Sequence, residues 1–166
     1  MGVRTINYME LEQLEHTATA VRRDIVRMVA AVNSGHPGGS LGCTDFLVAL
    51  YFDVMNLKRD ADGKVIFDMN GRDEDIFFLS NGHISPVFYS VLARAGYFPL
   101  SELSTFRKLD SRLQGHPTTA EHLPGVRIAS GSLGQGRSVA SGAAYASNRN
   151  GDKSHVFGRM GDGDQQ

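Results

Sequence analysis

Glycine placement constrains this chain more than any other feature. Ten of its 19 glycines gather at 35–42, 131–136 and 158–163, and each cluster abuts a segment with helical or strand periodicity. A flexible linker would scatter glycine through polar, patternless sequence. Clusters at the ends of regular elements instead predict tight loops, converging on something that the backbone must approach closely.

The periodic segments are readable in order. Leu11, Leu14, Ala18, Val21, Ile25, Met28 and Val32 recur at steps of three and four, which predicts an amphipathic helix from Tyr8 to Val32. Asn33 to Ser40 holds glycine and proline breakers and is read as a loop. Thr44 and Asp45 are plausible caps for a helix from Phe46 to Met55, apolar nearly all round and therefore buried. Asn56 to Asp73 reads as an exposed connection. Asp75 to Ser80 reads as a short buried strand with a turn at Asn81-Gly82-His83. Ser85-Pro86 opens a helix that Gly96 closes. A short helix, 101–106, follows Pro99, and Arg107 to Arg127 is mostly loop. Ser138 to Asn148 is a helix of small residues, suited to close packing, and His155 to Met160 is a second strand. Strands alternating with helices predict an α/β fold with a parallel sheet flanked by helices. Two strands cannot cover the apolar faces of five helices, so apolar surface is expected to stay open for a partner or for strands beyond Gln166.

Composition excludes several classes. A net charge of −1 offers no electrostatic footprint for nucleic acid or a membrane surface. Cys43 is the single cysteine, so no internal disulfide can form. No run is long and apolar enough for a signal peptide or a membrane span, and the amphipathic, acidic stretch from Met1 to Glu15 does not resemble a mitochondrial presequence. A cytoplasmic protein is the expectation.

Three histidines share one setting. His36 lies in Ser-Gly-His-Pro-Gly-Gly, His83 in Ser-Asn-Gly-His-Ile and His116 in Gln-Gly-His-Pro. Each follows a glycine and two precede a proline, which lifts the imidazole from regular structure and sets its direction. Paired zinc ligands at the short spacing H-x3-H are absent. Neutral imidazoles that donate and accept hydrogen bonds suit sugar hydroxyls, and near pH 7 they can move protons. Gly131-Ser132-Leu133-Gly134-Gln135-Gly136 leads into a helix but lacks the dinucleotide order G-x-G-x-x-G; it fits a phosphate at the helix N-terminus or a packed turn beside a flat ring. At Gly161-Asp162-Gly163 the first glycine permits a tight turn, Asp162 offers a hard oxygen ligand, and Gly163 lets a phosphate approach the backbone.

As a set, Ser34–Gly42, Leu79–His83, Phe106-Arg107, Ser111–Pro117, Pro124–Val126, Gly131–Gly136 and Gly161–Gly163 occur in the order seen in transketolases. The chain resembles the N-terminal, diphosphate-binding domain of that family over about residues 10 to 166, and looks most like the bacterial form, which some bacteria split into separate N-terminal and C-terminal subunits. The resemblance implies a partial thiamine-diphosphate-binding fold over 1–166, incomplete at its C-terminal end and truncated after the Gly-Asp-Gly strand-turn. It implies transfer of a two-carbon glycolaldehyde unit from a ketose phosphate to an aldose phosphate in the pentose phosphate pathway, with thiamine diphosphate and Mg2+ or Ca2+ as cofactors. The implied partners are sugar phosphates and either a second copy or a separate C-terminal subunit, with no nucleic acid and no membrane.

By the same resemblance, Asp162 would bind the metal and the Gly163 N–H the diphosphate. His83 would lie near the diphosphate and the substrate, His36 and His116 would contact donor hydroxyls and assist proton transfer, and Gly131 and Leu133 would contact the aminopyrimidine side of the cofactor. The family's remaining metal ligands, its aminopyrimidine-activating acid and its phosphate-gripping basic residues are absent, so the isolated piece is expected to be inactive. Asp164-Gln165-Gln166 stands where Glu-Leu-Gln is usual, Arg137 replaces an aliphatic residue, and Gly158-Arg159 interrupts an apolar strand, where Arg159 needs a carboxylate partner or a solvent-facing position. The alternatives are another thiamine-diphosphate enzyme, such as a dihydroxyacetone or deoxyxylulose-phosphate synthase, and a non-catalytic subunit.

Overall fold

The computed structural model describes residues 9–72 and 74–166. The expected helix start at Tyr8, the first eight residues of the N-terminal stretch, and Asp73 at the end of the polar connection lie outside the described residues.

The first helix, α1, spans Leu11–Val32 and buries Ala18, Val21, Asp24, Ile25 and Met28 along one stripe. Asn33 ends it in the left-handed conformation, φ 47°, which asparagine tolerates. The loop expected at 33–40 is corrected in its second half: Pro37–Gly42 forms a short helix, α2, with proline at its first position. Packing explains why a glycine-rich segment turns helical. A Cβ on Gly39 would sit 2.9 Å from the Ile84 side chain, so the glycine lets α2 press onto the turn that precedes the central helix. The next helix, α3, spans Thr44–Ala49 and runs on through a π-helical turn, Leu50–Val54. Thr44 lies inside α3 rather than capping it, and its hydroxyl donates to the Ser40 carbonyl. Burial is also narrower than expected, since Phe46 and Val54 face outward.

The sheet pairs β1, Ile76–Leu79, with β2, Val156–Arg159, in parallel and in the register Ile76 to Val156 through Leu79 to Arg159. Between them in sequence come α4, Ser85–Ala95, closed by Gly96 at φ 97°, and α5, Gln135–Asn150. Arg94 is the one residue of α4 that is not buried, so this helix is the centre of the core. Phe77 of β1 packs edge-on against Tyr51 and tilted against Phe88 of α4. On the opposite face of the sheet, Gly158 lies under Ala140 of α5. Three short 3-10 turns, Gly82–Ile84, Leu100–Thr105 and Thr119–Glu121, complete the regular elements.

Two ion pairs pin the periphery to this core. Asp24 of α1 accepts hydrogen bonds from Ser90 and Arg94 of α4, at 2.8 and 2.7 Å. Arg127 meets the fully buried Glu74 at 2.6 Å and lies 4.8 Å from the Phe67 ring centroid. Arg159, expected to need a carboxylate or solvent, is half-buried, and its guanidinium donates to the Cys43 sulfur at 3.3 Å. The small-residue helix α5 packs on the sheet, while its outer face leaves Val139 and Tyr145 exposed. Among the described residues, no helix is long and apolar enough to cross a membrane.

Leu92 is fully buried at the middle of α4 and fills the space beside Gly125. Leu92→Ala is therefore expected to lower the unfolding free energy by about 2–5 kcal/mol, measured by urea denaturation.

Candidate functional site

Parallel pairing puts both strand ends at one edge. After Leu79 the chain runs through Ser80 and Asn81 into the Gly82–Ile84 turn, and after Arg159 it runs into Gly161-Asp162-Gly163. The N-terminus of α5 reaches the same edge, because a Cβ on Gly136 would lie 2.5 Å from Ser80 Cα. This carboxyl edge is where α/β sheets hold their ligands.

Three separate loops bring the histidines together. His36 immediately precedes α2, and His83 sits in the turn after β1. The segment carrying His116 is tied to α4 by Tyr89, whose hydroxyl donates to the Gln114 carbonyl at 2.8 Å, and by Ser85, which donates to the Gly115 carbonyl at 2.7 Å. His83 is central. Its ring centroid is 5.1 Å from that of His36 and 4.7 Å from that of His116, both nearly perpendicular. Gly131, at φ 128°, lies so close to His116 that a Cβ would come within 2.6 Å of the ring. The Ser130 N–H donates to the Pro117 carbonyl and fastens this glycine loop to the His116 turn.

His116 is exposed, yet partial burial pushes its pKa below the ordinary 6.5, and the neighbouring His83, Arg107 and His36 push it the same way. His116 is thus held neutral near pH 7. Among the described residues no three His, Cys, Asp or Glu side chains are placed to hold a metal ion.

The second half of the site is built on a carboxylate that stands out in the sequence only as a substitution. Asp164 is buried, at 5% exposure. It accepts hydrogen bonds from the Ser80 hydroxyl at 2.5 Å, the Gly134 N–H at 2.7 Å and the Gly161 N–H at 2.6 Å. Burial alone would raise its pKa. The three hydrogen bonds and the charge of Arg159 outweigh that and hold it below the usual 3.8. Asp164 therefore clamps the loop after β1, the loop before α5 and the Gly-Asp-Gly turn. Under the clamp, Gly163 meets Leu133, where a Cβ would come within 2.8 Å of the leucine. Asp162, by contrast, is exposed, and its carboxylate has no partner among the described residues.

The loop 130–134 touches both halves: Gly131 lies on His116 and Leu133 on Gly163. Two buried polar atoms here lack partners among the described residues, Asn81 Oδ1 beside Gly161 and Ser130 Oγ beside Gly82. The free Asp162 carboxylate suits a cation and the unpaired Asn81 Oδ1 a hydrogen-bond donor, while the imidazoles and the α5 N-terminus suit a polar or anionic group.

Comparison with known proteins decides the family. The family model for the transketolase, thiamine diphosphate binding domain, matches residues 14–161. The chain belongs to the transketolase family. It is 38% identical over 157 residues to an apulose-4-phosphate transketolase subunit of Actinobacillus succinogenes, covering 94% of this chain and 54% of that relative. It is 42% identical over 130 residues to transketolase 2 of Escherichia coli, covering 78% of this chain and 18% of the relative. The crystal structure of transketolase from Campylobacter jejuni superposes with a TM-score of 0.80 at 32% identity, over 95% of this chain and 25% of that one. The chain thus spans about half the length of the first of these relatives and a quarter or less of the other two. The partial thiamine-diphosphate-binding α/β fold expected from the sequence is the fold observed.

The clamp has a pH signature. Because the Asp164 pKa is lowered in the folded state, its contribution is complete above the unfolded value of 3.8 and is lost as pH falls from there through the folded value. Asp164→Ala is expected to cost about 2–3 kcal/mol at pH 7, to speed amide exchange at Gly134 and Gly161, and to flatten the acid limb of a stability-against-pH curve.

Proposed function

We propose that this chain is the diphosphate-binding portion of a transketolase. In this reading it helps transfer a two-carbon unit from a ketose phosphate to an aldose phosphate, and it is inactive by itself. The observation that carries the reading is the meeting of three Gly-His turns from distant segments, with ring centroids within 5.1 Å of a neighbour, at the strand edge that also bears Gly-Asp-Gly.

Thiamine diphosphate, when bound, supplies the carbanion chemistry, and a divalent ion such as Mg2+ or Ca2+ neutralises its phosphates. Asp162 would furnish one oxygen ligand to that ion, and the adjacent Gly163 N–H would face the diphosphate. Gly131 and Leu133 would flank the aminopyrimidine side. His83, central in the cluster, would lie between the phosphate end and the reacting sugar. His36 and His116 would grip donor hydroxyls. The neutral state of His116 near pH 7 leaves it able to accept a proton from a hydroxyl and return it.

One carboxylate does not make a metal site, so the remaining ligands would come from elsewhere, either a longer chain or a second polypeptide. Similarity to a relative that is itself named as one subunit of its enzyme favours assembly with a separate C-terminal subunit, and a homodimer of the complete enzyme is compatible with it. Sugar phosphates are the expected substrates and the cytoplasm the expected compartment, with neither nucleic acid nor membrane as partner.

Isothermal titration calorimetry provides the test. The 166-residue chain should bind thiamine diphosphate weakly, and in the complete assembly Asp162→Ala should lower the metal-dependent affinity by at least about tenfold. Tight, metal-dependent binding by the chain alone would count against this reading. Consumption of pyruvate rather than interconversion of pentose phosphates by the assembly would move the assignment to a synthase.

A further inference from the structure

Arg107 breaks two local rules at once. Its backbone is left-handed, φ 55°, which a long side chain rarely adopts, and its Nε–H is buried with no hydrogen-bond partner among the described residues. Such departures persist only where surrounding structure over-determines them, and they concentrate at functional sites.

The surroundings of Arg107 come from three segments. Its backbone N–H donates to the Leu113 carbonyl at 2.9 Å. Its Nη1 donates to the Ser34 hydroxyl at 2.7 Å, two residues before His36. Its guanidinium lies 5.6 Å from the Phe106 ring centroid and rests on Gly115, the residue before His116. A Cβ on Gly115 would come within 2.7 Å of Cζ and Nη2 and 2.9 Å of Nε. Gly115 does not have a positive φ, so the flat guanidinium, rather than backbone strain, is what a side chain there would meet.

We propose that Arg107 is a positioning residue that bolts the His36 turn to the His116 turn and so holds the spacing of the three histidines. One side chain spans both turns: its hydrogen bond fixes one and its planar face seats the other. A lysine would keep the charge but could not present that face. The inference rests on reading the histidines as the reacting pocket, but it concerns only how they are held. It also accounts for Arg107 being among the groups that lower the His116 pKa; the titratable and charged groups facing that ring are His83, Arg107 and His36.

The experiment is a double-mutant cycle in the 166-residue chain, with Gly115→Ala, Arg107→Ala and the pair. The readouts are the urea midpoint and the histidine ring resonances followed through a pH titration. The expected result is coupling. Gly115→Ala should lower the midpoint and shift the His116 resonances in the parent chain, and should do much less where Arg107→Ala has emptied the space. Arg107→Ala should move the His116 pKa upward, towards 6.5. Arg107→Lys should keep that pKa low while still shifting the His36 resonances, and Ser34→Ala should reproduce the His36 shift alone. Additive midpoints, with His36 and His116 resonances unmoved by Arg107→Ala, would overturn the proposal. Thiamine-diphosphate binding is not a readout, so failure of the cofactor reading and failure of the bolt are separately visible.

Discussion

The parallel ladder between β1 and β2 is the contact on which the site depends. Four residue pairs align two strands so that both chains leave the sheet at the same edge. From that edge one chain supplies Ser80 and His83, and the other supplies the Gly-Asp-Gly turn and Asp164. The two departures are then cross-linked by the Asp164 carboxylate, which takes a hydroxyl from one strand end and an N–H from the other. The third donor, Gly134, carries the α5 N-terminus into the same knot. A short carboxylate with three donors and a nearby arginine offsets the cost of its own burial.

This arrangement separates two aspartates that look alike in sequence. Asp162 and Asp164 flank Gly163, yet one is exposed and unpaired among the described residues while the other is buried and holds three donors. Three donors leave the Asp164 carboxylate little capacity for anything else, whereas the Asp162 carboxylate keeps all of its acceptor sites. The structural aspartate thus gives the free one a fixed place without sharing its chemistry.

Much of the fold is legible because its signals are local. The β1 strand is a compact apolar run, α4 carries proline at its start and glycine at its end, and α1 keeps its apolar spacing through Val32. The short helix α2 is hidden because its stability comes from Ile84, far along the chain, and not from its own poor helix formers. The histidines stand out through their repeated Gly-His setting, but nothing local could place their rings together. Asp164 and Arg107 are hard to read for the same reason: besides near neighbours such as Gly161 and Leu113, the partners that give them their roles lie 30 and 84 residues away in one case and 73 in the other.

Those separations also bear on the order of assembly. The Asp75 carboxylate that caps the ladder receives the His155 N–H across 80 residues of chain. The α1–α4 contacts span nearly as far, 66 residues from Asp24 to Ser90 and 70 to Arg94, so a loop closure of similar length precedes both the helical core and the ladder. Long closures are thus shared by the core and the pocket edge, and neither gains a head start from loop length alone.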